Sequence, residues 1–479
     1  MFLGIDIGTS GVKAVILALH GVVVAQAQAP LAISRPNELW SEQYPGDWWT
    51  ATEVAVLALP ADLRRAVEGI GLSGQMHGAT LLGPDDKALR PAILWNDGRA
   101  FAECAEIERR VPSTREITGN IAMPGFTAPK LLWVAQHEPD IFAQIRTVLL
   151  PKDYIRLCMT GDKASDMSDS AGTLWLDVAS RHWSSEMLAA TGLCESHMPR
   201  LYEGNEATGS LRSDVAARWG MMPVPVAAGG GDNAAGAVGV GVIEDGDALL
   251  SLGTSGVIFV ATRDFRPNPA RAVHAFCHCL PGLWHQMSVH LSAASCVDWA
   301  AGNLGVDIPT FFTLAEHAGA ATGPELFLPY LSGERTPHND PHIRGAFLQL
   351  SNESDPARLA ASVLEGVAFA HADGLTALRQ AGTRVDNLFV IGGGARSLYW
   401  GRILAAALDV RLTYLEGGEV GPALGAANLA QMAVRGIGGA QACIRPAISH
   451  VIEPDPALSQ RLAPKLDRFR AAYPALKAL

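Results

Sequence analysis

The chain opens on three short apolar runs, residues 2–7, 12–19 and 22–27, parted by a glycine-containing loop and by the turn at His20-Gly21. Short apolar runs on both sides of a four-residue loop predict a β-hairpin, with the third run as a further strand. The same arrangement returns at residues 248–252 and 257–261, and the string GTSGV occurs at both junctions, 8–12 and 253–257. One copy alone reads equally as an ordinary turn, since glycine and serine are common turn residues. Two identical copies at the heads of the two halves predict two domains of like architecture. Between them, strands at 66–72, 92–95 and 387–391 alternate with helices at 48–57, 130–136, 356–379 and 399–407, a pattern of α/β layers. The polar turn Glu244-Asp-Gly-Asp247 sets the expected boundary, giving domains 1–243 and 244–479.

Each half closes on a small-residue helix, Asp232-Asn-Ala-Ala-Gly-Ala-Val-Gly239 and Gly421-Pro-Ala-Leu-Gly-Ala-Ala-Asn428. Glycine and alanine along one face let two helices cross closely. The pair reads as a pivot between domains or as simple tight packing, and both readings stay open here.

Composition narrows the function classes. A chain of 479 residues is too long for one ordinary core. Hydrophobic residues at 48% against charged residues at 18% exclude disorder. A net charge of -11 argues against a nucleic-acid surface, which needs a basic face. It leaves room for a nucleotide, whose phosphates a few amides and one cation can hold. Seven cysteines without framework spacing fit a reducing compartment, and the cytoplasm is the expected location. No signal peptide is expected, because Asp6 interrupts the apolar start, and no run of about 18 apolar residues predicts a membrane span.

The two Gly-Thr-Ser-Gly turns are candidates for gripping a triphosphate from opposite sides of a cleft. Gly8 and Gly253 let backbone N–H groups approach the phosphate, while Thr9, Ser10, Thr254 and Ser255 add hydroxyls. Lys13 either adds a cation or guards a strand edge. No G-x-x-x-x-G-K-[ST] string is present, which disfavours a P-loop NTPase. Gly229-Gly-Gly-Asp232 comes late in its half and brings a carboxylate, which disfavours a dinucleotide loop. The run Gly392, Gly393, Gly394 follows an apolar strand; it reads as a flat wall for a base or ribose, or as a tight strand-to-helix turn.

Two aspartates stand beside these turns. Asp6 ends the first strand, whereas the matching residue of the second copy is Ser251. A carboxylate beside a triphosphate is repulsive unless a cation lies between, so Asp6 is the candidate to hold Mg2+, through water. Asp232 heads the first small-residue helix. It reads as an N-cap, as a general base for a hydroxyl attacking a γ-phosphoryl group, or as both.

Eight ordered strings, DIGTSGVK (6–13), SGQMHGAT (73–80), AILWNDGR (92–99), MPGFTAPKLLW (123–133), GGGDNAAGAVG (229–239), LSLGTSG (250–256), FLPYLSGERTPH (327–338) and IGGGARS (391–397), together resemble the FGGY carbohydrate kinases. They look most like the xylulokinase branch of that family. The resemblance runs to about residue 430, and residues 435–479 carry no recognised motif. It implies an actin-like (ribonuclease H-like) α/β ATPase fold, two similar domains around a central cleft. It implies Asp232 as catalytic base, Asp6 organising the metal, Met76 and His77 touching the sugar with Asn233 nearby, and the turn 253–256 with Gly392–Gly394 contacting ATP. The implied reaction converts ATP and D-xylulose to ADP and D-xylulose 5-phosphate, and a homodimer is the candidate assembly. Kinases of ribulose, fuculose or glycerol, and a non-catalytic sugar- or nucleotide-binding regulator on the same fold, are the rival readings.

The cluster His274, Cys277, His278 and Cys279 invites a zinc reading. Strand alternation puts the two histidines on one face and the two cysteines on the other, which disfavours it. Glu334 and Arg335 are expected to form an ion pair bracing a loop.

Overall fold

The computed structural model describes residues 1–19, 21–416 and 421–478. His20, one half of the first predicted turn, lies outside the described residues. The first apolar runs form β1 (Phe2–Ile7), β2 (Gly11–Leu17) and β3 (Val23–Pro30), an antiparallel meander. β4 (Gly69–Gly74) lies parallel to β1, three residues later than the sequence pattern suggests, because a helical turn over 61–65 precedes it. β5 (Ala207–Ser210), β6 (Pro225–Ala227) and β7 (Gly230–Gly231) complete a seven-stranded sheet of order β5-β6-β4-β1-β2-β3, with β7 beside β4.

The second half repeats the plan. Strands β8 (Ala248–Leu252), β9 (Gly256–Thr262), β10 (His274–Cys277), β11 (Trp284–His290), β12 (Asn387–Ile391), β13 (Arg411–Leu415) and β14 (Ile448–Ile452) form a sheet of order β10-β11-β9-β8-β12-β13-β14. In each sheet an antiparallel three-stranded meander joins two parallel strands and one antiparallel edge strand, and the second sheet adds β10, antiparallel to β11, at its other edge. The repeated GTSGV string therefore marks a repeated topology.

The helices that bear on the site and on the packing of the halves are α1 (Pro45–Leu57), α2 (Thr127–His137), α3 (Pro151–Thr160), α4 (Met167–Ala171), α5 (Asp232–Gly239), α6 (Pro356–Gln380), α7 (Leu398–Leu408), α8 (Pro422–Arg435) and α9 (Pro456–Lys477). Strand alternation distributes them. Leu3, Ile5 and Ile7 face α1 and α3, burying Trp48 and Ile155. Phe2 and Val15 face the other way, against Ala423 and Ala427 of α8. Thus α8, late in the chain, lies on the sheet of the first half. The fit is backbone on backbone: a Cβ at Gly4 or Gly71 would fall 1.8 Å from the Ala423 or Ala426 carbonyl oxygen. α8 also crosses α5 at Gly425, where a Cβ would lie 1.7 Å from the Ala235 oxygen. The two small-residue helices do meet, at glycine.

Residues 435–479, without motif in the sequence, supply the edge strand β14 and the closing helix α9. Phe469 of α9 is fully buried, Lys465 pairs with Glu365, and Arg470 pairs with Asp373 at 2.6 Å. Among the described residues no helix is long and apolar enough to cross a membrane.

The glycine contacts predict opposite signs for two similar substitutions. Gly425→Ala should lower the melting temperature, with a loss on the order of 3 kcal/mol from backbone overlap. Gly302→Ala, in the helix Ala294–Leu304 with nothing within 4 Å of its added Cβ, should stabilise by about 0.5–1 kcal/mol. Thermal melts of both variants check this, and a neutral Gly425→Ala would refute the close crossing.

Candidate active site

Three parallel strands end side by side. In the register of the first sheet Asp6 is paired with Ser73, and Ser73 with Gly230. Gly231 then leads into Asp232, the first residue of α5. Ligands bind in the crevice beyond the carboxyl ends of such strands. Topology, rather than sequence distance, brings Asp6 near Asp232.

Both carboxyls bear the marks of that placement. Burial, then repulsion from Asp232, pushes Asp6 up to about 7, while Ser73 and Lys13, its cross-strand partner, pull the other way. Asp6 Oδ1 is buried without a hydrogen-bond partner. Burial pushes Asp232 up to about 6, opposed by its Oδ1 accepting from the Asn233 backbone N–H (2.7 Å) and side-chain amide (2.9 Å). An orphaned carboxylate oxygen beside a second desolvated carboxylate is a donor set that fits a hard cation. Among the described residues no group of three or more His, Cys, Asp or Glu side chains is arranged to hold a metal by itself. A cation here would complete its shell with phosphate or water.

The first GTSG turn is tied to the loop that follows β4. Thr9 Oγ1 donates to Gln75 Oε1 and accepts from Trp95 Nε1, both at 2.9 Å. Gln43 Nε2 donates to the Thr9 carbonyl at 2.8 Å, and Gln43 Oε1 accepts from Gln75 Nε2 and from Trp48 Nε1. The Thr9 hydroxyl proton is therefore committed inside the protein, and Ser10 is the exposed hydroxyl of this turn. Gln75 couples the turn to Met76 and His77, its immediate successors.

Met76 packs against the backbone that carries Asp232: a Cβ on Gly231 would meet its Sδ at 3.0 Å. His77 sits at φ +67°. Its Nδ1–H donates to the Gly172 carbonyl at 2.6 Å, and its ring meets Phe126 edge-on at 4.9 Å. Burial, with Lys130 nearby, holds its pKa down to about 3, so the imidazole is neutral. Arg335, from the second half, turns its guanidinium to His274 Nε2 (3.3 Å). The expected Glu334–Arg335 ion pair is absent: Glu334 instead accepts from the Leu291 and Arg335 backbone N–H groups and pairs with His290.

Across the cleft, a cavity of about 560 Å3 unites Asp232 and Asn233 with Gly392, Gly393, Tyr414 and His450. Asn233, expected near the sugar, thus lines the compartment of the glycine run. Gly392, at φ +93° with the Leu252 oxygen 2.7 Å from any Cβ, admits no side chain. Gly394 faces inward, where a Cβ would strike Trp400 at 2.8 Å, so it serves packing rather than the cavity wall. The second turn, Gly253-Thr254-Ser255, does not line this cavity; its Gly253 and Thr254 carbonyls accept from Ala294 and Ala293 N–H, and Thr254 and Ser255 are exposed. Gly8, Thr9, Ser10 and Lys13 also stand outside it.

Sequence reasoning missed the supports. Ser168 Oγ accepts from Gly231 N–H at 3.1 Å and donates to Asp166, which pairs with the fully buried Lys152 at 2.8 Å. Arg156 binds the Ala227 and Ala228 carbonyls, so both cations of α3 hold the strand that delivers Asp232. Charged residues in an otherwise apolar helix were the available signal. His450, stacked on Tyr414 at 4.2 Å, lies in the stretch without a motif, and only β14 pairing brings it to the cavity.

Residues 1–239 match the model of the N-terminal domain of the FGGY family of carbohydrate kinases, and residues 248–434 match that of its C-terminal domain. A xylulose kinase of Escherichia coli (strain K12) is 57% identical over 435 residues, 90% of each chain. A xylulose kinase of Klebsiella pneumoniae is 52% identical over 482 residues, 100% of each. The crystal structure of a xyloylose kinase from Brucella ovis superposes with a TM-score of 0.96 at 51% identity, covering 100% of this chain and 99% of that one. With its duplicated sheets this is the actin-like fold in two domains, and the chain belongs to the FGGY family of carbohydrate kinases.

Proposed function

We propose that the chain is an ATP-dependent xylulokinase, transferring the γ-phosphoryl group of ATP to a hydroxyl of D-xylulose to give D-xylulose 5-phosphate and ADP. The relatives that carry the name xylulose kinase cover 90% and 100% of it and support this substrate. The observation that carries the mechanism is the position of Asp232, between the Met76–His77 loop on one side and the cavity of Gly392 and Gly393 on the other.

The sugar lies against Met76 and His77, whose neutral ring keeps Nδ1–H on Gly172 and offers Nε2 as an acceptor to a sugar hydroxyl. Asp232 accepts the proton of the attacking hydroxyl as the phosphoryl group moves in line. Its hydrogen bonds from Asn233 orient the carboxylate, and Ser168 fixes the preceding peptide. The exposed hydroxyls of Ser10, Thr254 and Ser255, with the amide of Gly253, grip the phosphates, and Lys13 adds charge beside Asp6; the Gly8 N–H is spent on the Gly11 carbonyl at 3.0 Å, so Gly8 serves by leaving the turn without a side chain. The wall at Gly392 and Gly393 borders the nucleoside. Asp6 would hold Mg2+ through water, and the ion would neutralise the phosphate tail and the carboxylate pair. The seven cysteines are free thiols, which fits action in the reducing cytoplasm.

Three outcomes test this reading. Asp232→Ala should cut kcat by roughly 10^2- to 10^4-fold while sugar and ATP still bind. In the wild type kcat/KM for the ketose should fall as pH drops below about 6, because a protonated Asp232 cannot accept the hydroxyl proton. Near-normal turnover of the variant, or a flat profile down to pH 5, would remove Asp232 as the base. Stability supplies the second outcome. A carboxyl whose folded pKa is raised from 3.8 to about 6 destabilises the fold increasingly as pH rises between those values. Asp232→Asn should therefore melt higher than wild type at pH 8, with the gap narrowing towards pH 4. The third outcome is a sugar panel with coupled detection of ADP: D-xylulose should give the highest kcat/KM, above ribulose, fuculose and glycerol. Preference for any of those would reassign the substrate.

A further inference from the structure

Lys130 is fully buried in α2, among Leu131, Leu132 and Val134. Its Nζ forms no ion pair among the described residues. The nearby carboxylate of Asp97 is already held by Arg99 through two short contacts (2.9 and 2.7 Å) and by the Ser41 N–H. Lys130 Nζ instead donates to two backbone carbonyls, His77 at 2.9 Å and Gly125 at 2.7 Å. Burying an ammonium for the sake of two neutral acceptors is unfavourable, and burial pushes its pKa down to about 7. Methionine, of similar length, would fill the same apolar space without that penalty.

The two carbonyls belong to loops that share one task. His77 adopts φ +67°, a conformation that a side-chain-bearing residue enters only when its surroundings enforce it. Its carbonyl receives a second donor, Thr127 Oγ1, at 3.2 Å. Gly125 presses on the Trp95 backbone, since a Cβ there would lie 2.6 Å from the Trp95 oxygen. Phe126, next in the chain, packs against the His77 ring. One ammonium therefore joins the loop bearing His77 to the loop bearing Phe126, and sets where the imidazole points.

We infer that Lys130 is a positioning residue for sugar recognition, locking His77 in its strained conformation so that the imidazole meets the ketose. The inference rests on the reading of His77 as a sugar contact. Lys130 itself touches no reacting atom.

A double-mutant cycle tests it on the full chain, with KM for D-xylulose, kcat and KM for ATP measured for wild type, His77→Ala, Lys130→Met and the double variant. Lys130→Met should raise the ketose KM by about 10- to 100-fold, the scale of a misplaced binding group, and leave the ATP KM unchanged. Because Lys130 acts through His77, the double variant should bind the ketose no worse than His77→Ala alone. Additive penalties, an unchanged ketose KM in Lys130→Met, or equal losses toward both substrates would each overturn the inference. An unchanged ketose KM in His77→Ala would overturn the sugar contact itself, and the inference with it. Should Lys130→Met fail to fold, Thr127→Val removes one donor from the same carbonyl and keeps the ammonium. It should raise the ketose KM by a smaller factor, and a folded Thr127→Val with wild-type KM would refute the role.

Discussion

Backbone-to-backbone contact at glycine is the constraint on which this molecule is built. α8 approaches the first sheet at Gly4 and Gly71 and crosses α5 at Gly425, each time so closely that a single methyl group would overlap a carbonyl oxygen. At these three points peptide surfaces meet with no side chain between them, and apolar side chains such as Phe2 and Val15 pack around them. Two consequences follow for the site. The N-termini of α5 and α8 both open on the cavity, at Asp232 and at Gly421-Pro422, where their dipoles favour an anionic ligand. A contact made of rigid backbone also holds the strand ends of the first half against the wall of the second.

Within that frame the chemistry is a matter of desolvated charge. Asp6 and Asp232 are raised by burial, and Asp6 further by its neighbour. Two desolvated carboxylates side by side repel each other, and a cation between them would offset that repulsion. The Met76–His77 loop follows the opposite logic: His77 is neutral, and the Lys130 ammonium beside it donates to backbone carbonyls. A site for a polyhydroxy substrate gains from fixed dipoles, whereas a site for a triphosphate gains from charge compensation. The Thr9–Gln75–Gln43 hydrogen bonds tie the first GTSG turn to the loop that carries Met76 and His77.

The buried polar residues behind the site explain how a glycine-rich strand can hold Asp232 in place. Gly229, Gly230 and Gly231 leave no side chains to anchor them. Arg156 takes the carbonyls just before them, and Ser168 takes the Gly231 amide. Lys152, surrounded by Asp153, Asp166 and Asp169, keeps its charge because those carboxylates overcome its desolvation. Precision at Asp232 is thus supplied from α3 and α4 rather than by its own strand.

Much of this was legible in the chain itself. Alternation and the repeated GTSGV string determined two like domains, their opening hairpins and the helix at 356–379, because local periodicity and turn chemistry act over a few residues. Asp6 and Asp232 were legible as carboxylates beside glycine turns, since charge next to a phosphate turn demands a reason. What only the tertiary structure decided was which groups meet. Thr9 turned out to be committed to Gln75, Gly394 to Trp400, and Asn233 to the cavity lined by Gly392 and Gly393. Lys130 and His450 came to the site through contacts with residues 53 and 36 positions away, His77 and Tyr414. Such partners are set by strand order and helix docking, which bring together distant positions that carry no local signal.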